Sequence, residues 1–266
     1  VGVVATDVSG VGTARYGPSA CEYGGDKGIF GYGAASVSMT NLVSNAGVVA
    51  SDTSGVGTGR RYSAACSYGG DKGIFGYGNS TGTGAVSMSN LVNNSGVVAS
   101  DVTGVGTARE ELAACEYGDD KAIFGFGYSA AAGYVAITNL VSNAGVIATD
   151  TAGVGTVKKI CGACGYGLDK GIFGYGYSDS SGSPANVSTT NLISNVGVCA
   201  SDVSGVGTER RQLTATQYGS DTGIFGFGVT SSVVSMTNLI NNSGVAASDV
   251  TGVGTARGDL AACSFN

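Results

Sequence analysis

Seven cysteines and no histidine bound the chemistry open to this chain. Cys21, Cys66, Cys115, Cys164 and Cys263 fall at one register of a recurring motif, and Thr216 fills the sixth place. A thiol ring would suit a soft metal. A small, nearly apolar side chain at a crowded, repeated position accounts for the pattern more simply. Cys161 and Cys164 form a Cys-x-x-Cys in one repeat only. An extended strand points residues three apart to opposite faces, so zinc or redox chemistry is not expected there. Cys199 is solitary and reads as core, and the odd count opposes a complete disulfide framework. Without histidine the usual general base and the commonest metal ligand are missing. No carboxylate pair or nucleophile–base set stands out. The expectation is a non-enzymatic protein with no cofactor and no metal.

Charged residues recur as well. Asp7, Asp52, Asp101, Asp150, Asp202 and Asp249 precede a nine-residue link of the type Asp52 to Arg60. Arg15, Arg60, Arg109, Lys158, Arg210 and Arg257 close it. The spacing lacks the dense Asp-x-Asp-x-Asp ladder of a calcium loop. Each Asp is expected to cap backbone amides of the link or to pair with the basic residue. Gly-x-Gly runs are too frequent to mark a phosphate site.

Glycine makes up 48 of 266 residues, yet 42% of the chain is hydrophobic and the glycines recur at fixed positions, which favours order. Net charge is −6, and no basic run is present, so no nucleic-acid groove is expected. No stretch approaches the roughly 18 apolar residues of a membrane helix, so no membrane insertion is expected.

The elements that must position these residues follow from one repeat. Its hallmark is Asp26 to Gly33, which returns at Asp71, Asp120, Asp169 and Asp221. The second glycine of Gly-Val-Gly-Thr stands at 12, 57, 106, 155, 207 and 254, giving periods of 45, 49, 49, 52 and 47. All the length variation falls between the Gly33-type and Asn41-type positions. Four short strands per unit are predicted: Ala20–Tyr23, Gly28–Gly33, about Val37–Val43, and Val48–Ser51. In the second, alternation puts Phe30 and Tyr32 on one face and Ile29 on the other. Tight turns at 24–26 and 44–47 join the first strand to the second and the third to the fourth. Glycine density and β-branched runs oppose helix.

A four-stranded unit of 45–50 residues has the size of a propeller blade. Arg60, Ala64-Ala65-Cys66-Ser67-Tyr68 and Lys72-Gly73-Ile74-Phe75-Gly76-Tyr77-Gly78 resemble a kelch-type β-propeller repeat, although Gly-Tyr-Gly stands for Gly-Gly and tryptophan is absent. The Gly-Tyr-Gly runs also resemble the RCC1 propeller family, and the near-identical repeats are similar to repeat proteins of phages and environmental viruses. The resemblance implies one all-β domain over residues 1–266: a β-propeller of four-stranded antiparallel blades, with five complete repeats and a partial sixth blade. The copper site of oxidases on the kelch fold does not carry over, for want of histidine.

In such a meander the loop after the second strand shares a rim with the link after the fourth. Both are the variable parts of the repeat. Variable loops on a rigid scaffold favour recognition. The candidate binding residues are Tyr16, Arg61, Tyr62, Glu110, Glu111, Lys159, Arg211, Gln212 and Asp259 in the link, and Asn79, Thr81, Tyr128, Tyr134, Tyr177 and Asp179 in the loop. The expected function is a non-catalytic scaffold holding a protein or glycan ligand, on a virion or extracellular surface, as part of a larger assembly or homo-oligomer. Two alternatives are a structural repeat that self-assembles through unpaired terminal strands and an intracellular kelch-type adaptor.

Overall fold

The computed structural model describes residues 3–180 and 182–265. It is all-β apart from a single 3-10 turn at Ala34–Ser36. Five units each build an antiparallel sheet of three regular strands. In the first unit these are an inner strand (Ser19–Tyr23), a middle strand (Lys27–Gly31) and a third strand (Thr40–Val43). The middle strand lies between the other two, pairing Cys21 with Ile29 and Ile29 with Leu42. The inner and middle strands meet through a turn in which Gly24 and Gly25 take φ of 66° and 76°, a left-handed pair that glycine adopts without steric cost.

Four regular strands per unit were expected, and the fourth is reduced. The segment after Gly47 touches the third strand only through isolated bridges, Val43 with Val49 and Thr40 with Thr53. Its first valine stays outside: Val48, Val97, Val146, Val198 and Val245 are all exposed. The third strand is also shorter than the predicted Val37–Val43, except in the fourth unit, where it spans Ala185–Ile193.

The predicted common face for Phe30 and Tyr32 is corrected too. Tyr32, Tyr77, Phe126, Tyr175 and Phe227 have φ near 60°, which ends the regular strand and reverses the expected alternation. The two aromatics of a unit therefore serve opposite neighbours. Tyr32 meets Phe75 of the next unit edge-on at 5.0 Å, and Tyr77 meets Phe124 at 5.2 Å. Phe75 lies over Gly31 of the preceding unit, where an added β-carbon would sit 2.8 Å from the ring. Arg60 lies 4.2 Å above the Tyr32 ring and is fully buried, as are Arg109 and Arg210.

A hydrogen-bonded knot fastens each link. Asp150 accepts from the Thr107 amide (3.0 Å), from Thr107 Oγ1 (2.6 Å) and from Asn139 Nδ2 (2.8 Å). Arg109 donates to Asn139 Oδ1 at 2.7 Å and lies 4.0 Å from Asp150. Each Asp thus serves the link that precedes its own unit rather than the one it opens. The same pairing joins Thr13 to Asp52, Thr58 to Asp101, Thr156 to Asp202 and Thr208 to Asp249. The last member joins Thr255 to Asp7, across 248 positions of sequence.

A second series runs through the backbone. Tyr62, Glu111, Ile160, Gln212 and Asp259 each donate an amide to the matching carbonyl one unit earlier, and Gly17 donates to Asp259 at 3.0 Å. The six bonds form a closed circuit. It also passes through the partial sixth unit.

The knot makes a stability prediction. Asp150→Ala strips the Thr107 amide and hydroxyl of a charged acceptor, and about 2 kcal/mol of unfolding free energy should be lost. Denaturant melts of the variant and parent at neutral pH measure it. These carboxyls lie below their ordinary values. At Asp52 the Thr13 and Asn41 hydrogen bonds outweigh desolvation. At Asp150 desolvation is overcome by the bonds from Thr107 and Asn139. Their stabilisation is present above the unfolded carboxylate value of about 3.9 and is lost as pH falls through the depressed folded values.

Candidate functional site

The two variable segments are stitched together. Arg61 and Asn79 exchange both backbone hydrogen bonds, 3.0 and 2.8 Å, and so do Glu110 with Tyr128, Lys159 with Tyr177 and Arg211 with Val229. The uniform turns meet elsewhere: Asn45 donates to Asp26, Asn94 to Asp71 and Asn143 to Asp120. The loop and the link thus sit side by side, apart from the tight turns.

The candidate residues fall into two groups. In the first, Tyr16 is exposed and 6.3 Å from Tyr62, and Arg61 lies 5.4 Å above the Tyr62 ring. Asn79 donates to Glu110 Oε1 at 3.1 Å, and burial pushes the Glu110 carboxyl up. Thr81 is exposed and donates to Ser36 at 2.8 Å.

The second group is continuous. Tyr128, Tyr134 and Tyr177 follow one another at 6.0 and 6.4 Å. Lys159 lies 5.2 Å above both Tyr128 and Tyr134 and pairs with Glu111 at 2.6 Å. Arg211 lies 5.0 Å above Tyr177 and donates to Asn186 at 3.0 Å. Asp179 is half-buried beside this group in sequence, and its carbonyl accepts from Gly182. Three rings and two cations so form one surface of half-buried, preset side chains. Such a surface offers stacking, hydrogen-bond donors and charge to a ligand.

Gln212 and Asp259 do not join either group. They bond to each other at 2.7 Å at the mouth of an axial cavity of about 120 Å³, which Tyr62, Glu111 and Ile160 also line. All five take φ between 50° and 58° in the backbone circuit. Nothing in the residue types announced this, since only glycine adopts that conformation freely and here it appears once, at Gly17.

Sequence reasoning also missed the other end of the axis. Inner strands from all the units surround a cavity of about 60 Å³. Ala20, Ala65, Ala114, Ala163, Ala215 and Ala262 contribute to its wall. Glu22 and Glu116 line it with Ser67, Gln217 and Ser264. Burial raises the Glu22 carboxyl to about 7 against a hydrogen bond from Ser264, and burial raises Glu116 as well. The signal was present only as alternation: Glu22 follows Cys21 in a strand whose cysteine faces the other way. The thiols do not point at one another across the axis. A β-carbon added at Gly73 would lie 2.5 Å from Cys21 Sγ, and one at Gly223 would lie 2.6 Å from Cys164 Sγ. Each of these thiols packs against the middle strand of the next unit. Burial raises them, Cys164 to about 12, so they stay protonated. All seven cysteines are free. Among the described residues no group of three or more Asp, Glu, Cys or His converges on one point.

No family model matches the chain, and no curated protein matches it.

Glu22 gives a pH prediction of opposite sign to that of the knot. Its folded value, about 7, lies above its ordinary 4.5. Its contribution to stability is present below 4.5 and is lost as pH rises toward about 7. Glu22→Gln should therefore raise the melting temperature at pH 8 and leave it little changed at pH 4. Thermal melts across that range read the difference.

Proposed function

We propose that the chain is a β-propeller with six blade positions, and that it acts without catalysis as a scaffold whose variable rim holds a protein or glycan ligand. One observation carries this reading. The two segments that vary in length and type are hydrogen-bonded to each other on the same side of every complete unit, whereas the turns joined by Asp26–Asn45 contacts keep one pattern. Conserved geometry beneath changing side chains is the arrangement of a recognition surface on a rigid frame. The six-member circuit and the Thr255–Asp7 contact support a closed wheel rather than an open stack. The Tyr128, Tyr134 and Tyr177 rings with Lys159 and Arg211 form the best-equipped part of the rim. Aromatic and arginine side chains are enriched where binding energy concentrates. A virion or cell-surface appendage is the setting we favour, as the similarity to viral repeat proteins implies.

A glycan array and a pull-down from candidate host material test the reading. Replacing Tyr134 and Tyr177 together by alanine should cut retained ligand at least about tenfold. Because both rings are half-exposed, the melting temperature should hardly move. Unchanged binding in a folded double variant would remove the rim from the account.

A further inference from the structure

The sixth unit is present in part, and its neighbours retain the surfaces that two more strands would cover. In each complete unit the middle-strand phenylalanine inserts over a glycine of the unit before it. Phe75 meets Gly31, Phe124 meets Gly76, Phe173 meets Gly125 and Phe225 meets Gly174, at 2.7 to 2.9 Å from an added β-carbon. The next glycine in that series, Gly226, has only Thr237 Cγ2 nearby, at 3.5 Å. Its ring is missing. At the other end Phe30 is half-buried, whereas Phe75, Phe124, Phe173 and Phe225 are fully buried.

The polar partners tell the same story. Arg60, Arg109 and Arg210 have no exposed side-chain surface, whereas Arg257 is 45% exposed. Arg257 lies 4.3 Å over the Phe227 ring and pairs with Asp7, as its counterparts do in their own units. Arg109 and Arg210 also donate to a third-strand asparagine and to a middle-strand carbonyl. The described residues supply neither to Arg257. Residues 260–265 follow the path of an inner strand, with Cys263 Sγ against Gly28 and Phe265 against Gly47, yet they pair with no strand. Clefts of about 460 and 470 Å³ flank the place, one walled by Val8, Val11, Phe30 and Val48, the other by Val233, Met236 and Val250.

We propose that this slot is a binding site for a β-hairpin of the repeat's own type, carried on another polypeptide. Its first strand would bear Gly-Ile-Phe-Gly and its second Thr-Asn-Leu. The phenylalanine fills the space over Gly226. The asparagine accepts from Arg257 and donates to Asp7, completing the knot. The first strand's glycine receives Phe30. The five ribbons in the chain are each held in their own sheets, so none of them is free to fill the slot. The interface is the one already repeated from unit to unit, and its docking face is therefore preformed.

The test uses the whole chain and a labelled peptide with the sequence of residues 219–244, cyclised to hold the hairpin. Fluorescence anisotropy should show saturable 1:1 binding. Gly226→Val puts a side chain where the entering ring must lie, and Arg257→Ala removes the donor to asparagine. Each should weaken binding at least tenfold. Gly226→Val should leave the melting temperature of the free chain unchanged, because the space there is open, and Arg257→Ala serves as the second variant should it not. A peptide carrying Phe225→Ala should bind at least tenfold more weakly. Absence of saturable binding, or binding indifferent to both protein variants, would overturn the proposal. So would sedimentation showing that Gly226→Val abolishes pairing between two copies of the chain while the peptide fails to bind.

Discussion

The contact on which the architecture rests is an aromatic ring seated on a glycine of the neighbouring unit. Phe124 over Gly76 leaves no room for a β-carbon, and the ring's other contact, with Tyr77, is edge-on at 5.2 Å. A methyl group in that place would push the units apart, and close packing in a core gives little space for adjustment. The high glycine content therefore reflects close approach as much as turning. The same contact sets the direction of the two aromatics: one ring reaches back to a glycine, the other reaches forward to a ring and a buried guanidinium.

Much of this was legible in the residues. Fixed spacing gave the repeat, the two tight turns, the inner and middle strands and the single variable loop, because these depend on local turn chemistry and alternation. The fourth strand was overread. Val48–Ser51 has strand composition, but only two isolated bridges per unit hold it, and its first valine lies in solvent. The shared face for Phe30 and Tyr32 failed because alternation presumes extended backbone throughout, and a left-handed tyrosine breaks it. The pairing of each Asp with an earlier link could not be read from sequence, since Thr107 and Asp150 meet only when a whole sheet lies between them.

The candidate rim was legible as variation and illegible as geometry. Length differences marked the loop, and changing pairs marked the link. The division of labour inside those pairs appeared only in three dimensions. The first member of each pair, such as Lys159, presents its side chain to the loop's rings. The second, such as Ile160, holds the backbone circuit at φ of 50°, an uncommon conformation for a β-branched residue. A position that tolerates tyrosine, glutamate, isoleucine, glutamine and aspartate at the same left-handed geometry is held there by its neighbours rather than by its own preference.

The thiols tucked between units carry one more consequence. Cys21, Cys66, Cys115 and Cys164 are protonated, sealed and remote from any partner sulfur, so small electrophiles meet them only when adjoining sheets separate. Their alkylation rate is thus a native clock for breathing at each seam. It distinguishes a wheel that opens one joint at a time from one that comes apart as a whole.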